Sequence, residues 1–169
     1  NKQKDDKQRE SSNSNIIVVN EVIEGLKKYE GATFPIPFES WEQNKDVVTS
    51  KFSKSRTITV NGVTKTGAHT GIDLAVVSNA NPKVCSVLSG KVIVAKVGNT
   101  GYGNYVVIEH ISTDGTVFYT LYGHMREGSI MVAEGTEVKA GQVLGIMGST
   151  GNSTGPHLHF EIRLNENSS

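Results

Sequence analysis

Five histidines lie between residues 69 and 159, and they are the side chains best suited to chemistry. Two stand in His157-Leu-His-Phe-Glu-Ile-Arg163. That run alternates: His157, His159 and Glu161 point one way, and Leu158, Phe160 and Ile162 the other. The apolar set can seat on a core, which turns the imidazoles, about 7 Å apart by strand rise, toward a surface or cleft. Two histidines on one face of a rigid strand invite a metal ion. His69-Thr-Gly-Ile-Asp73 adds a histidine and a carboxylate four residues apart. Gly71 and the β-rich surroundings argue for a turn entering a strand rather than for a helix. The pair is weak evidence alone and strong beside His-x-His. A catalytic zinc takes three N or O ligands and keeps a fourth position for water, and His, Asp and His supply that number. With one anionic ligand the site keeps a net positive charge, which suits a Lewis acid that lowers the pKa of its water.

The remaining candidates separate by context. His124 ends the strand-like Thr120-Leu-Tyr-Gly-His124. It reads either as a solvated turn residue or as a proton donor or oxyanion partner brought to the metal by the fold. His110 has no comparable setting and reads as structural or surface. Gly151-Asn-Ser-Thr-Gly155 fits the Gly-x-Ser-x-Gly pattern of serine hydrolases, but Pro156 and an alternating strand follow it. The required strand-turn-helix elbow and the acid-then-histidine order are both missing, so Ser153 is not the nucleophile. That loop reads as a flexible rim beside the metal. Cys85 sits in the apolar Val84-Cys-Ser-Val-Leu88 and reads as a small buried hydrophobe; as the one cysteine it can form no internal disulfide.

The elements that must position these groups are strands. The chain has 169 residues, 36% of them hydrophobic and 20% charged, with 17 basic against 17 acidic side chains and a net charge of +0. One domain with a core is affordable at this length, and nothing calls for nucleic acid or an anionic membrane. Residues 1–15 are polar and mixed in charge, a disordered tail or stalk. Residues 16–30 space Ile16, Val19, Val22, Ile23, Leu26 and Tyr29 as a short amphipathic helix. Phe34-Pro-Ile-Pro-Phe38 is extended, completing a linker to residue 44. From 45 to 165 the pattern is all-β, with a first strand over 46–52 and a hairpin closed by Asn61-Gly62. Further strands follow over 72–77, 83–88, 90–97, 104–111, 116–122, 138, 143–147 and 157–164. The core set is Leu74–Val77, Val84, Val87, Val92, Val94, Val106, Ile108, Leu121, Leu144 and Ile146. No apolar run is long enough for a transmembrane helix, and no signal peptide is visible. The chain begins at Asn1, which raises the expectation of a processed product from which an anchor or export signal was removed.

Taken together, these motifs resemble the lysostaphin-type (LytM-like) zinc metallopeptidases that cut peptidoglycan cross-bridges or stem peptides. The match rests on His69-x-x-x-Asp73, Leu121-Tyr-Gly-His124, Gly135-x-x-Val-x-x-Gly-Gln142 and Gly148-Ser-Thr-Gly-Asn-Ser-Thr-Gly-Pro-His-Leu-His-Phe160. It covers about residues 45–163. The resemblance implies a compact antiparallel sheet domain with a substrate groove, built on a duplicated hybrid motif. It implies Zn2+ held by His69, Asp73 and His159, with His124 and His157 as the non-ligand histidines that activate water and stabilise the tetrahedral intermediate. Tyr122 would help bind substrate, and Glu161 would act at most on a ligand from behind. The hairpin-like Ser53–Ala68 stands where a shorter loop is common and would shape the groove.

Two readings from different classes follow. In the first the chain is an extracytoplasmic endopeptidase of the cell wall, secreted or tethered, acting on peptidoglycan peptides. In the second it is a catalytically silent zinc-binding scaffold that pairs with an envelope protein. A cupin-type oxidase, which also carries His-x-His on a strand, needs a further histidine segment downstream of residue 159, and the sequence has none there.

Overall fold

The structure is a computed structural model that describes residues 16–18, 33–50, 53–60, 63–69, 71–112, 115 and 117–163. Among these residues there are strands and no helix: β1 (Ile16–Val18), β2 (Thr33–Pro35), β3 (Val47–Ser50), β4 (Ser53–Val60), β5 (Val63–His69), β6 (Ile72–Ala75), β7 (Lys83–Cys85), β8 (Gly90–Lys96), β9 (Asn104–Ile111), β10 (Val117–Met125), β11 (Glu137–Val138), β12 (Val143–Ile146) and β13 (Leu158–Arg163). A seven-stranded antiparallel sheet runs in the order β11-β8-β9-β10-β13-β6-β3. The pairs β12-β7, β4-β5 and β1-β2 stand outside it. The all-β expectation is met, and among the described residues no helix is long and apolar enough to cross a membrane.

Alternation along the central strands separates the two faces of the sheet. Ile72 and Leu74 of β6, Tyr122 of β10, and Leu158, Phe160 and Ile162 of β13 face the main core. Leu144 and Val84 of the β12-β7 pair close that core. Removing side chains of this size from water contributes roughly 1.5–3 kcal/mol each, so this face dominates the fold's stability. The opposite face carries a smaller cluster of Val107, Tyr119 and Leu121, with Tyr102 and Tyr105 packed against it. Asp73, His159, Glu161 and Arg163 share that second face by parity.

Several expectations need correction. Residues 16–18 are strand β1, paired with β2, where a helix was expected; the β-branched run Ile16-Ile-Val favours the extended form. The rest of that helix and the 1–15 tail lie outside the described residues. The core also reaches ahead of residue 45. Phe38 is buried and bridges Val84, while the Pro37 carbonyl accepts the Cys85 amide. Val77, expected inside, is 69% exposed. β6 has already ended at Ala75, and the Val77 and Ser78 amides both donate to Asp46 Oδ1. Ile146 is only partly buried, and Leu121 belongs to the second face.

Candidate metal centre

Register brings the site together. His159 pairs with Asp73 of β6 on one side and with Gly123 of β10 on the other. His159 Nδ1 lies 2.8 Å from Asp73 Oδ1, and His157 Nε2 lies 3.7 Å from the same oxygen. The glycine opposite His159 has its missing Cβ direction only 3.5 Å from the His159 Cβ, so the ring sits close over the strand. His69 is the last residue of β5 and pairs by its backbone with Ser53. Its side chain is outside the described set. Two peptide bonds separate it from Gly71, which holds its Cα within about 7.6 Å of that residue. Gly71 itself packs against the Phe160 carbonyl and the Glu161 side chain.

His124 reaches the site by breaking a rule. Thr120 and Tyr122 face the core, whereas Leu121 and Gly123 face His159 and Glu161. Strict alternation would send His124 into the core with Tyr122. A bulge between Tyr122 and Met125 inserts one residue against β9, and His124 takes φ 59 there. That left-handed conformation redirects the imidazole onto the site face, 4.6 Å from the His157 ring between centroids. Met125 returns to the core. The bulge is the local feature that the sequence did not disclose.

Behind His159 stands a buried polar array. Its Nε2 donates to Glu161 Oε1 at 2.8 Å. The Tyr102 hydroxyl donates to the same oxygen at 2.7 Å, and Arg163 Nε donates to Oε2 at 2.7 Å. Arg163 also donates to the Tyr102 oxygen and lies over its ring. Glu161 is fully buried, so this arginine offsets a charge that would otherwise be costly. Glu161 fixes the tautomer of His159 and leaves Nδ1 as the nitrogen facing Asp73. Tyr102 and Arg163 escaped the sequence reading; the parity of β13 pointed at Arg163, and nothing local pointed at Tyr102.

Electrostatics follow from these contacts. Burial alone would depress His159, but the hydrogen bonds and charges of Asp73 and Glu161 outweigh it and push its pKa up to about 9. Burial lowers His124 to about 4, with the neighbouring histidines adding to the effect. His124 Nδ1 donates to the Thr150 carbonyl at 2.6 Å, and His157 Nδ1 to the Gly155 carbonyl at 2.9 Å. Both rings therefore keep Nε2 as the basic nitrogen. Cys85 is buried, and desolvation raises its thiol to about 11, as an inert core residue requires. His110 is buried between the Ser89 carbonyl and Thr120 Oγ1, a structural role.

Tyr122 does not reach this surface. It is 0% exposed, its ring packs on Phe160, and its oxygen accepts the Val87 amide. Burial raises its pKa to about 12. The substrate-binding role that the resemblance implied for Tyr122 does not fit this burial. Ser153 bonds the Gly155 carbonyl and lies 3.1 Å from His157 Nδ1, a brace for that imidazole at its hydrogen-bearing nitrogen.

Two of the expected ligands, Asp73 and His159, have donor atoms that fit zinc, although among the described residues no group of three such side chains is gathered as a metal site. A carboxylate oxygen and an imidazole nitrogen, both suited to zinc, are turned on one another, and the second nitrogen of that imidazole is already engaged.

A fold of this kind carrying these histidines belongs to a class of peptidases, and comparison with known proteins identifies the class. A model of Peptidase family M23 matches residues 67–169, and the chain belongs to that family. It is 42% identical over 115 residues to the peptidoglycan DD-endopeptidase ShyB of Vibrio cholerae, covering 68% of this chain and 24% of ShyB. The chain spans less than a third of the length of such curated relatives, 16% to 29%. Among solved structures it is similar to a zinc containing peptidase from Vibrio cholerae, with TM-score 0.59 and 38% identity over 72% of this chain and 34% of that one. It is also similar to a chain in the complex of SpoIIIAH and SpoIIQ, with TM-score 0.62 and 30% identity over 77% of this chain and 91% of the other.

Proposed function

We propose that this chain is a zinc-dependent endopeptidase that hydrolyses peptide bonds of bacterial peptidoglycan outside the cytoplasm. The observation that carries the reading is the register that sets Asp73, His159 and Gly123 side by side, with His157 and the bulged His124 over the same spot. The peptidase family and the relative named for peptidoglycan support the substrate class. The unit that does this extends over 45–165 together with the core residues Ile36, Phe38 and Trp41.

His69, Asp73 and His159 would hold the ion. When bound, it supplies a Lewis acid that polarises the scissile carbonyl and acidifies water. With hydrogen held on Nδ1, His157 and His124 each leave Nε2 as the nitrogen able to accept the proton of the attacking water. Once protonated, an imidazole donates to the oxyanion or to the leaving amine. The Thr150 and Gly155 carbonyls keep the two rings in the tautomer that this work needs. Glu161 aims His159 and keeps its Nδ1 electron-rich.

The substitution His69→Ala tests the assignment: both zinc binding and release of soluble fragments from purified peptidoglycan should be lost, and unchanged activity would contradict it. A second reading, a silent zinc-binding scaffold that pairs with an envelope protein, is favoured by the likeness to the SpoIIIAH and SpoIIQ complex. It expects bound zinc and no released fragments.

A further inference from the structure

We infer that Thr150 is a positioning residue for the reaction, one that builds the His124 bulge and fixes the imidazole it presents. The inference rests on the proposed hydrolysis only for its kinetic consequence; the geometry stands apart from it.

At the bulge, Met125 of β10 faces Asn104 of β9. The Thr150 hydroxyl spans this rung. Its Oγ1 accepts the Asn104 amide at 3.0 Å and donates to the Met125 carbonyl at 2.6 Å. One side chain thus ties both strands at the point where the ladder is perturbed. The carbonyl of the same residue accepts His124 Nδ1 at 2.6 Å. Thr150 therefore acts twice on one imidazole, through the backbone that aims it and through the nitrogen that sets its tautomer. Only the hydroxyl is open to replacement, which makes the inference testable.

Thr150 is itself held in place. The Asn152 amide donates to the Gly101 carbonyl, and the His124 amide to the Tyr102 carbonyl. Gly103, at φ 63, lies so close that a Cβ there would stand 2.4 Å from the Thr150 carbonyl carbon. Gly151, at φ 75, would bring a Cβ within 2.3 Å of the Gly103 nitrogen. The loop over 149–156 is thus docked on the turn between β8 and β9, where the sequence suggested a flexible rim. A left-handed, non-glycine His124 costs of order 1–3 kcal/mol and persists only where its surroundings over-determine it. The Thr150 bridge is one of the contacts that do so.

The test uses Thr150→Val, which keeps the shape and removes the hydroxyl, and Thr150→Ser, which keeps the hydroxyl. The tautomer of His124 is read from nitrogen-15 spectra of the full chain near pH 7, and zinc affinity, kcat and KM are measured alongside. Wild type should show His124 with hydrogen on Nδ1. The valine chain should show mixed tautomers and a kcat lowered by about tenfold or more, with KM and zinc affinity within about twofold. Serine should restore the tautomer and kcat. A valine chain with wild-type tautomer and kcat overturns the inference, as does a serine chain as impaired as valine. Should the valine chain not give a folded amide spectrum, serine decides alone, and loss of its tautomer overturns the inference. If wild type releases no peptidoglycan fragments, the proposed hydrolysis fails while the tautomer comparison still decides the role of Thr150.

Discussion

Glu161 is the side chain whose loss should be most informative at the scale of single residues. It is buried and receives His159, Tyr102 and Arg163 together. Glu161→Gln should weaken zinc binding by about 10–100-fold in chelator competition while leaving the amide spectrum native. Unchanged affinity would show that His159 needs no such partner. The two shifted histidines also predict how the zinc-free protein responds to pH. His159 is raised from 6.5 to about 9, so the folded state binds more protons in that window and stability falls as pH rises through it. His124 is lowered from 6.5 to about 4, so the unfolded state binds more protons there and stability falls as pH drops through it. Denaturant titrations of the zinc-free chain should therefore show the contribution of this pair peaking near the shared ordinary value of 6.5. A steady rise in stability up to pH 9 would contradict the hydrogen-bonded His159. Tyr122 offers a third test. Tyr122→Phe strands the buried Val87 amide, so stability should drop by about 1–3 kcal/mol with KM unchanged. A raised KM would return Tyr122 to the groove.

Elements carry a different lesson about what the sequence discloses. The period-2 pattern of β13 was legible, because apolar and polar residues alternate cleanly from His157 to Arg163. The pairing of β4 with β5 was legible too, since Val60 and Val63, the residues on either side of Asn61-Gly62 in the sequence, pair with one another. The position of His124 was not. A bulge is a mismatch between two strands, here Gly123 and His124 against Tyr105, and no single strand's pattern contains it. Tyr122, which the resemblance offered for substrate binding, is instead buried opposite Phe160 by ordinary alternation, and Tyr102 was missed. Tyr102 joins Glu161 across 59 residues of chain, a contact that only the fold creates. The docked loops give this scale its own prediction. Gly103→Ala adds a Cβ at φ 63 against the Thr150 backbone and should cost about 2–4 kcal/mol in denaturant unfolding. A neutral effect would mean that the loop is free to move aside.

For the molecule as a whole, the sheet acts as a two-sided plate. One face is committed to packing, with Leu158, Phe160 and Ile162 held among Leu74, Tyr122 and Leu144. The other face holds the polar groups, and their register is set by the packing behind them. A slip of β13 by one residue would turn His159 and Glu161 into the main apolar core and the apolar set onto the polar face, so stability and function select the same register. The span that the family model matches, residues 67–169, holds the candidate site residues from His69 to His159. The measurement that bears most directly on the proposed hydrolysis is mass spectrometry of soluble fragments released from purified peptidoglycan by the zinc-loaded chain, with His159→Ala in parallel. The account predicts fragments with new termini at a defined peptide bond from wild type and none from the variant. A zinc-loaded wild type that releases no fragments would contradict it.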